Sequence, residues 1–119
     1  MQSTLVILTK RNDFVALSHA NRATTPGLVL QARQRRDECD DIRVGFTCSK
    51  KIGGAIQRNR AKRRLREIAK DILPDHGKLG WDYVLVGRVE TTISRDFLDL
   101  KKDLVQAIKN VHGGKKSAK

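Results

Sequence analysis

The sequence lacks the features of a membrane protein, a secreted protein or a metal-binding protein. No apolar run approaches the roughly 20 residues that a membrane helix requires, and Met1–Leu8 has neither the leading charges nor the small-residue cleavage site of a secretory signal. Cys39 and Cys48 form no Cys-x-x-Cys pair and have no histidine nearby. We therefore expect a cytoplasmic protein without membrane contact, in which Cys39 is a reduced loop thiol and Cys48 a small buried apolar residue.

Aromatic and acidic residues are also scarce, whereas basic residues are abundant. Aromatic residues make up 4% of the 119 residues and hydrophobic residues 39%, which supports one compact domain with a modest core. Lys and Arg number 25 against 13 Asp and Glu, giving a formal net charge of +12. A field of this sign attracts polyanions, so nucleic acid is the expected partner and an anionic membrane surface the weaker alternative.

The first half of the chain predicts a short helix followed by two strands. Phe14 and its apolar neighbours indicate a helix over residues 9–20, before a break at Thr24–Gly27. Leu28–Arg33 and Ile42–Ser49 alternate apolar and polar residues, as strands with one buried face do. The sheet is therefore expected to present a second, more polar face that can meet a ligand. That face would carry Val29, Gln31, Arg33, Thr47 and Ser49.

An acidic stretch separates the two predicted strands. It contains Asp37, Glu38, Asp40 and Asp41. Such a cluster can bind a metal ion, but no histidine or distant acid in the sequence is placed to complete a coordination shell. We therefore interpret the stretch as a solvated turn between two strands.

The second half predicts a helix, a strand and a second helix. The helix over Ile56–Leu73 is expected to stop at Pro74. Trp81–Arg88 is nearly continuous in apolar residues, as a strand covered on both faces would be. Ser94 is the predicted N-cap of the last helix, and this helix is expected to end at His112–Gly114. The predicted buried stripes are Ala61, Leu65, Ile68, Ala69 and Ile72 in the first helix and Phe97, Leu100, Leu104, Ile108 and Val111 in the last.

The order helix, strand, strand, helix, strand, helix predicts an α+β fold. It would be a two-layer α/β sandwich in which helices pack on a small mixed sheet. The sequence shows no internal repeat, and low complexity is confined to its end. Residues 1–112 would thus form a single nucleic-acid-binding α/β domain, and residues 113–119 a flexible basic tail.

The most informative segment spans residues 50–66 and reads KKIGGAIQRNRAKRRLR, with eight basic residues and no acid. Gly53 and Gly54 allow a tight turn before a helix, where backbone amides and cations can approach a phosphate chain. Arginine suits this task because its planar, permanently charged fork can hold a phosphate by two hydrogen bonds or stack on a base. An ordinary solvated helix is the alternative, but uncompensated charge over so many positions favours nucleic-acid binding.

Two stretches of this segment match a known pattern. Ser49–Gly53 followed by Arg58–Arg66 resembles the signature of the bacterial ribonuclease P protein family, S-K-K-x-G, four residues, then R-N-R-x-K-R-x-x-R. The resemblance extends to Asp13–Phe14 in the first helix, Arg43–Gly45 in a strand and Tyr83–Val84 in a later strand. It therefore covers nearly the whole folded chain, and such a composite match is more specific than an arginine-rich run alone.

The resemblance implies the protein subunit of ribonuclease P, an endoribonuclease that removes the 5′ leader of precursor tRNA to give the mature 5′ end. In this family the RNA subunit and its magnesium ions carry the chemistry, so the protein is expected to have no catalytic side chains and no dedicated metal site. One protein is expected to bind one ribonuclease P RNA together with the leader. The resemblance also implies a left-handed crossover through the basic helix, as in a ribosomal protein S5 domain 2-like fold, whereas periodicity alone favours a right-handed one.

Two sets of site residues follow from the resemblance. The expected RNA-docking residues are Lys50, Lys51, Arg58, Asn59, Arg60, Lys62, Arg63 and Arg66. The expected leader-binding residues are Lys10, Phe14, Val29, Gln31 and Thr47. Phe14 can stack on a leader base or pack in the core, and the pattern allows both. Relatives often carry aromatic residues where this chain has Ser18 and Gln31, so we expect its leader binding to rely more on phosphate contacts and hydrogen bonds.

Three other functions fit the sequence less well. A protein-only nuclease would need a carboxylate cluster or a histidine beside a second acid, whereas His19, His76 and His112 are scattered. A ribosomal protein or another RNA-structural module shares the basicity and the α/β build but not the full motif. A DNA-binding regulator would need a short helix paired before the basic one, as in a helix-turn-helix.

Overall fold

The computed structural model describes residues 5–35 and 39–113, which form five strands and four α-helices. The elements are β1 (Leu5–Ile7), α1 (Arg11–Ser18), β2 (Asn21–Thr24), β3 (Leu28–Gln34), β4 (Ile42–Thr47), α2 (Ala55–His76), β5 (Trp81–Gly87), α3 (Thr91–Ser94) and α4 (Phe97–Gly113). A short 3₁₀ turn over Lys50–Ile52 connects β4 to α2.

The strands form one mixed sheet in the order β1-β4-β5-β3-β2. β1 runs parallel to β4 and β4 parallel to β5, whereas β3 pairs antiparallel with both β5 and β2. Parallel neighbours need a crossover connection, and α2 supplies it between β4 and β5. The predicted α+β class with a small mixed sheet is confirmed.

One face of the sheet packs against α2 and α4 and forms the main core. The strand residues on this face include Leu28, Leu30, Ala32, Ile42, Val44, Tyr83 and Leu85. The two helices cover them with the predicted stripes, in which Ile72 and Phe97 alone stay partly exposed. The periodicity locates the core correctly because side-chain direction alternates in a strand and repeats every three to four residues in a helix.

The opposite face of the sheet, called the α1 face below, is partly covered by α1. Leu17 is fully buried there against Leu8 and Val84, and Phe14 and Val86 pack at the edge of this second cluster. β5 contributes to both clusters, which confirms that it is covered on both sides. The polar residues of the α1 face stay within reach of solvent because α1 has eight residues and buries one of them.

The sequence pattern does not predict β1 and β2. β1 has three residues, which is too short for alternation to be recognised. β2 buries Ala23 alone of its four residues. Each is an edge strand with a neighbour on one side, so burial leaves only a weak signal in the sequence. The helix predicted over residues 9–20 is correspondingly shorter, because β2 begins at Asn21.

Pro74 does not stop α2, contrary to the prediction. The helix continues to His76, and the Gly77 amide donates to the Leu73 carbonyl at 2.8 Å. Proline lacks a backbone donor, so in the last turn it removes a single hydrogen bond of the helix. Burial of Leu73 in the main core holds that turn in place.

Ser94 does not cap α4, contrary to the prediction. It is the last residue of α3, and its hydroxyl donates to the Glu90 carbonyl at 2.9 Å. The Asp96 carboxylate accepts from the Leu98 amide at 3.1 Å and satisfies a free donor at the start of α4. Serine and aspartate are both good N-cap residues. The sequence pattern does not predict the short α3, and its presence shifts the N-cap of α4 from Ser94 to Asp96.

Parts of two predicted segments lie outside the described residues. They are Asp37 and Glu38 of the acidic stretch and residues 114–119 of the basic tail. Gly113, the first residue of that predicted tail, is the last residue of α4. Within the described ranges, no helix is long and apolar enough to cross a membrane.

Candidate nucleic-acid interface

The basic segment begins with the 3₁₀ turn that leads into α2. Ser49 Oγ accepts from the Lys51 amide at 3.3 Å and caps this turn. Gly53 adopts a φ of 145°, and a Cβ there would lie 2.9 Å from Gln57 Cβ, so this position requires glycine. Gly54 is the N-cap of α2 and has no capping side chain, so the first amides of the helix stay open to an anion directly after the two lysines of the turn.

Polar residues of α2 line up on one outward side of the helix. Asn59, Lys62, Arg63 and Arg66 are three or four residues apart, so their side chains are neighbours along the helix. Arg60 lies on the flank of this row, and all except the half-buried Lys62 are exposed. The helix therefore buries its apolar stripe while it presents guanidinium groups to solvent.

The predicted RNA-docking residues of the turn and α2, called the docking face below, are not used to hold the fold by ion pairs. Within residues 5–35 and 39–113, none of its seven basic members pairs with a carboxylate. Basic residues that do pair with a carboxylate are Arg33, Arg35, Arg43, Arg95 and Lys101. A cation without an intramolecular partner keeps its donors for a polyanion.

Two arginines of α2 contact aromatic rings, with different consequences. The Arg66 guanidinium carbon lies 5.7 Å from the centre of the Phe46 ring, which orients the side chain while it stays exposed. Arg64, which is not a member of the docking face, lies 5.5 Å from the centre of the Phe97 ring and donates to the Arg95 carbonyl. Arg64 therefore links α2 to the start of α4 and acts in the fold.

Arg58 and Lys62 lie at the inner edge of the docking face, near Cys48. Burial raises the pKa of the Cys48 thiol, and the charge of Lys62, a hydrogen bond with the Gly87 backbone and the charge of Arg58 offset this only in part. The thiol is therefore protonated at neutral pH, and Cys48 packs half-buried against the main core. Cys39 is exposed, as predicted.

The α1 face brings together three of the predicted leader-binding residues. Val29 of β3 and Thr47 of β4 pair with Val86 from either side, and Gln31 pairs with Val84. Paired residues on neighbouring strands share a face, so these side chains point to the side on which α1 packs. Val29 is buried, whereas Gln31 and Thr47 are half-buried.

Phe14 lies over the backbone of Gly45 on the same face. A Cβ at Gly45 would come within 2.6 Å of two ring carbons of Phe14 and 3.2 Å of Leu8 Cβ. Glycine at this position therefore makes room for the ring. Phe14 packs against the second cluster but is only half-buried, so it contributes to packing and still offers part of its ring to a ligand.

Lys10, the fifth predicted leader-binding residue, is the N-cap residue of α1 and is exposed. Its carbonyl accepts from the amides of Asp13 and Phe14 at 3.1 and 3.4 Å. These bonds close the first turn of α1 and keep Lys10 one turn away from the Phe14 ring. The structure therefore places this cation at the rim of the α1 face.

A buried carboxylate, Asp82, holds three arginines at one end of the α1 face. It accepts two hydrogen bonds of 2.7 Å from Arg43, one of 2.7 Å from Arg35 and one of 3.2 Å from Arg33. Arg33 also donates to the carboxylate of Asp13 in α1 at 3.2 Å. This charge cluster therefore fastens α1 to the sheet next to Phe14.

The arginines keep Asp82 ionised. Burial by itself would raise the pKa of the Asp82 carboxyl, but the hydrogen bonds and charges of Arg43 and Arg35 outweigh it and hold the pKa below its usual value. The sequence analysis missed this charge cluster. Alternation places Arg43 and Asp82 on the polar side of their strands, but the register that brings them together cannot be read from either strand alone.

The histidines and acids of the described residues do not gather into a metal-binding cluster. Across residues 5–35 and 39–113, no three His, Cys, Asp or Glu side chains lie close enough to hold a metal ion. His112 Nε2 lies 2.6 Å from the Tyr83 hydroxyl, which also accepts from the Lys78 amide. Burial lowers the pKa of His112 to about 4 and raises that of Tyr83 to about 12, so both are neutral structural groups.

Comparison with known proteins supports the family resemblance of the sequence, and the similarity covers almost the whole chain. Residues 3–112 match the family model of ribonuclease P. The chain is 51% identical over 114 residues to the ribonuclease P protein component of Ruegeria pomeroyi, which covers 95% of this chain and 91% of that protein. It is 44% identical over 115 residues to that of Paramagnetospirillum magneticum, and this match covers 93% of this chain and 86% of that protein.

Solved structures show the same similarity in the fold. The ribonuclease P protein of Staphylococcus aureus superposes with a TM-score of 0.70 at 26% identity, covering 87% of this chain and 92% of that one. The protein from Thermotoga maritima superposes with a TM-score of 0.71 at 25% identity, covering 83% and 91%. The family match, the relatives and the fold together show that this chain belongs to the ribonuclease P protein family, the protein subunits that join ribonuclease P RNA in tRNA processing.

Proposed function

We propose that the protein binds two RNAs through two separate surfaces. The docking face binds the ribonuclease P RNA, and the α1 face binds the 5′ leader of precursor tRNA. By holding both, the protein promotes endonucleolytic removal of the leader, which gives the mature 5′ end of the tRNA. The assignments of individual residues to these surfaces are those predicted from the sequence.

The observation that carries the docking proposal is the set of seven cations on one turn and one helix without ion-pair partners among the described residues. Intramolecular pairing would neutralise them, so their freedom supports a role toward an external polyanion. If six to eight phosphates are neutralised, binding should lose roughly three to five decades of affinity between about 50 and 200 mM salt. This large salt dependence is the signature of a phosphate-binding surface.

The leader proposal is supported by the chemistry of the α1 face. The partly exposed Phe14 ring can stack on one base, which contributes about 1–3 kcal/mol per base in single-stranded RNA recognition. The Gln31 amide and the Thr47 hydroxyl can each donate and accept hydrogen bonds, and Val29, on the same strand and face as Gln31, adds an apolar surface that Val86 separates from Thr47. A narrow strip of this kind fits a single strand better than a duplex.

We assign the chemical step to the RNA subunit. Magnesium ions, held mainly by that RNA, would supply the metal chemistry of phosphodiester cleavage, and the protein contributes placement and positive charge. One protein per RNA and a cytoplasmic location complete the proposal.

Phe14→Ala is expected to weaken binding of precursor tRNA to the reconstituted protein–RNA complex by about tenfold, because a base loses its stacking partner. Mature tRNA has no leader, so its affinity should hardly change. Equilibrium binding of both tRNAs to the same complex measures the difference. Phe14→Leu keeps an apolar side chain over Gly45 and should show the same selective loss with less effect on stability.

Val15→Ala is the matched control, because Val15 is an apolar neighbour on α1 that is 51% exposed. It should leave the preference for precursor over mature tRNA unchanged. Equal losses for the two tRNAs in both Phe14 variants would remove Phe14 from the leader site and leave it a packing residue.

A further inference from the structure

The structure extends the α1 face beyond the predicted leader-binding residues, to a strand that the sequence pattern does not predict. In β2, Arg22 pairs directly with Gln31 of β3. Ala23, the next residue, is buried in the main core, so Arg22 points to the opposite side of the sheet, toward the α1 face. An exposed cation therefore lies next to Gln31 at the open edge of the sheet.

The sheet register puts this cation in one row with the Phe14 ring. The row crosses four strands in the order Gly45, Val84, Gln31 and Arg22, and Phe14 covers its Gly45 end. With neighbouring strands about 4.8 Å apart, the row spans about 14 Å from ring to arginine. The row thus carries the Phe14 ring at one end and, beyond Val84 with the Leu17 side chain packed on it, the Gln31 amide and the Arg22 guanidinium at the other. These three groups can contact a base, a base edge and a phosphate of one single strand.

The side chain of Arg22 is free to bind an external group. It makes no hydrogen bond or ion pair with any residue in the described parts of the chain. Arg33, the nearest cation along β3 on the same face, is engaged instead by Asp13 and Asp82. The fold therefore neutralises one of these two arginines and leaves the other with all of its donors.

We propose that Arg22 binds a phosphate of the leader RNA while Gln31 hydrogen-bonds the adjoining base, so that this polar pair extends the leader site to the edge of the sheet. This proposal rests on the leader-binding role proposed above. It gives a physical reason for the glutamine at position 31, because an amide beside an arginine can hold a nucleotide without a stacking ring. The ligand class is single-stranded RNA that continues past the base on Phe14.

The test is a set of binding measurements on the protein–RNA complex, with precursor tRNAs whose leaders are lengthened one nucleotide at a time. Arg22→Gln is expected to weaken binding of long-leader precursor by roughly tenfold. It should also lower the slope of log affinity against log salt by about 0.7, the value for one phosphate of a single strand. The loss should be absent for mature tRNA and for the shortest leaders, which do not reach the edge strand.

Two further variants separate the contributions. Gln31→Ala should weaken long-leader binding without changing the salt slope, because its contact is uncharged. Lys109→Gln removes one exposed cation from α4, which packs on the other side of the sheet, and should leave the precursor-to-mature ratio unchanged. Arg22 is exposed and makes no hydrogen bond or ion pair within residues 5–35 and 39–113, so its replacement should not alter the melting temperature.

Equal losses for precursor and mature tRNA, or a loss independent of leader length, would show that Arg22 contacts another part of the RNA and would overturn the proposal. Unchanged binding in Arg22→Gln would overturn it as well. The Phe14 variants distinguish this failure from that of the leader site itself. If they lose the precursor preference while Arg22→Gln does not, the leader binds the α1 face but stops short of β2.

Discussion

Arg58→Ala combined with Arg60→Ala is expected to weaken association with ribonuclease P RNA by at least roughly a hundredfold, since each of the two lost charged hydrogen bonds costs about 1.5–3 kcal/mol. The slope of log affinity against log salt should also become shallower by about 1.4–1.8, corresponding to two phosphate contacts. Titrating the RNA with protein at several salt concentrations measures both quantities. The reason for the large effect is that neither arginine has an ion-pair partner among the described residues.

A matched control removes the same charge elsewhere. Lys102→Ala with Lys109→Ala takes two exposed cations from α4 and should leave the salt slope within its error. An unchanged slope in the arginine variant, or the same change in both variants, would mean that the docking face does not make the specific phosphate contacts proposed for it.

Asp82→Ala is expected to lower the free energy of unfolding by about 3–5 kcal/mol, the usual cost of breaking a buried ion pair by removing one partner. Asp82 is fully buried and accepts from three arginines, so its loss removes the carboxylate that they share and leaves the partly exposed Asp13 as the remaining acid beside Arg33 and Arg43. Chemical denaturation followed by circular dichroism gives this free energy. A loss below about 1 kcal/mol would show that the charge cluster contributes little to the fold.

The exposed pair between Asp71 and Lys101 supplies the comparison. Its atoms lie 2.9 Å apart, but the Asp71 side chain is 52% exposed. Solvent screens such a pair, so Asp71→Ala should cost no more than about 1 kcal/mol. The contrast between two aspartate-to-alanine changes therefore isolates the effect of burial and of multiple partners.

The Asp82 contribution should also depend on pH. Since the arginines hold the folded pKa below its usual value, the ionised carboxylate stabilises the fold fully above about pH 4, and this stability is lost as the pH falls through the folded pKa. The difference in unfolding free energy between the natural protein and Asp82→Asn should therefore be constant near neutral pH and shrink in acid. Denaturation curves at several pH values measure it.

Local signals in the sequence were enough to predict the turn and the helix on which the proposed docking face lies. The Gly53 turn, the apolar stripe of α2 and the uninterrupted positive charge all act over a few neighbouring residues, and the structure places the turn and the helix where the sequence predicts them. The C-terminal end of α2 and the start of α4 were less predictable. They depend on packing around Leu73 and on the short α3, which propensity does not encode.

The α1 face was harder to predict, because it is formed by contacts between distant parts of the chain. Alternation indicated which side Val29, Gln31 and Thr47 would occupy, but only strand order shows that β5 lies between them. The same register creates the Asp82 cluster and places Arg22 beside Gln31, and no local pattern contains that information.

Ion pairing in the structure also distinguishes arginines that look alike in the sequence. Arg43 and Arg60 are both basic residues within the family motifs, yet Arg43 is bound to a buried carboxylate whereas Arg60 has no ion pair in the described part of the chain. Composition counts them alike. The fold uses Arg43 to hold the sheet and α1 together, whereas Arg60 stays available for the RNA contact that we propose.

The most direct test of the account is reconstitution of precursor tRNA cleavage at low magnesium and near-cellular salt. Three reactions are compared, with the RNA subunit alone, the protein alone and the two together. We expect the protein to accelerate cleavage by the RNA and to cleave nothing by itself, because in our proposal the protein supplies position and charge and the RNA performs the chemistry. A protein that left the RNA's rate unchanged, or one that cut precursor tRNA without the RNA, would contradict this account.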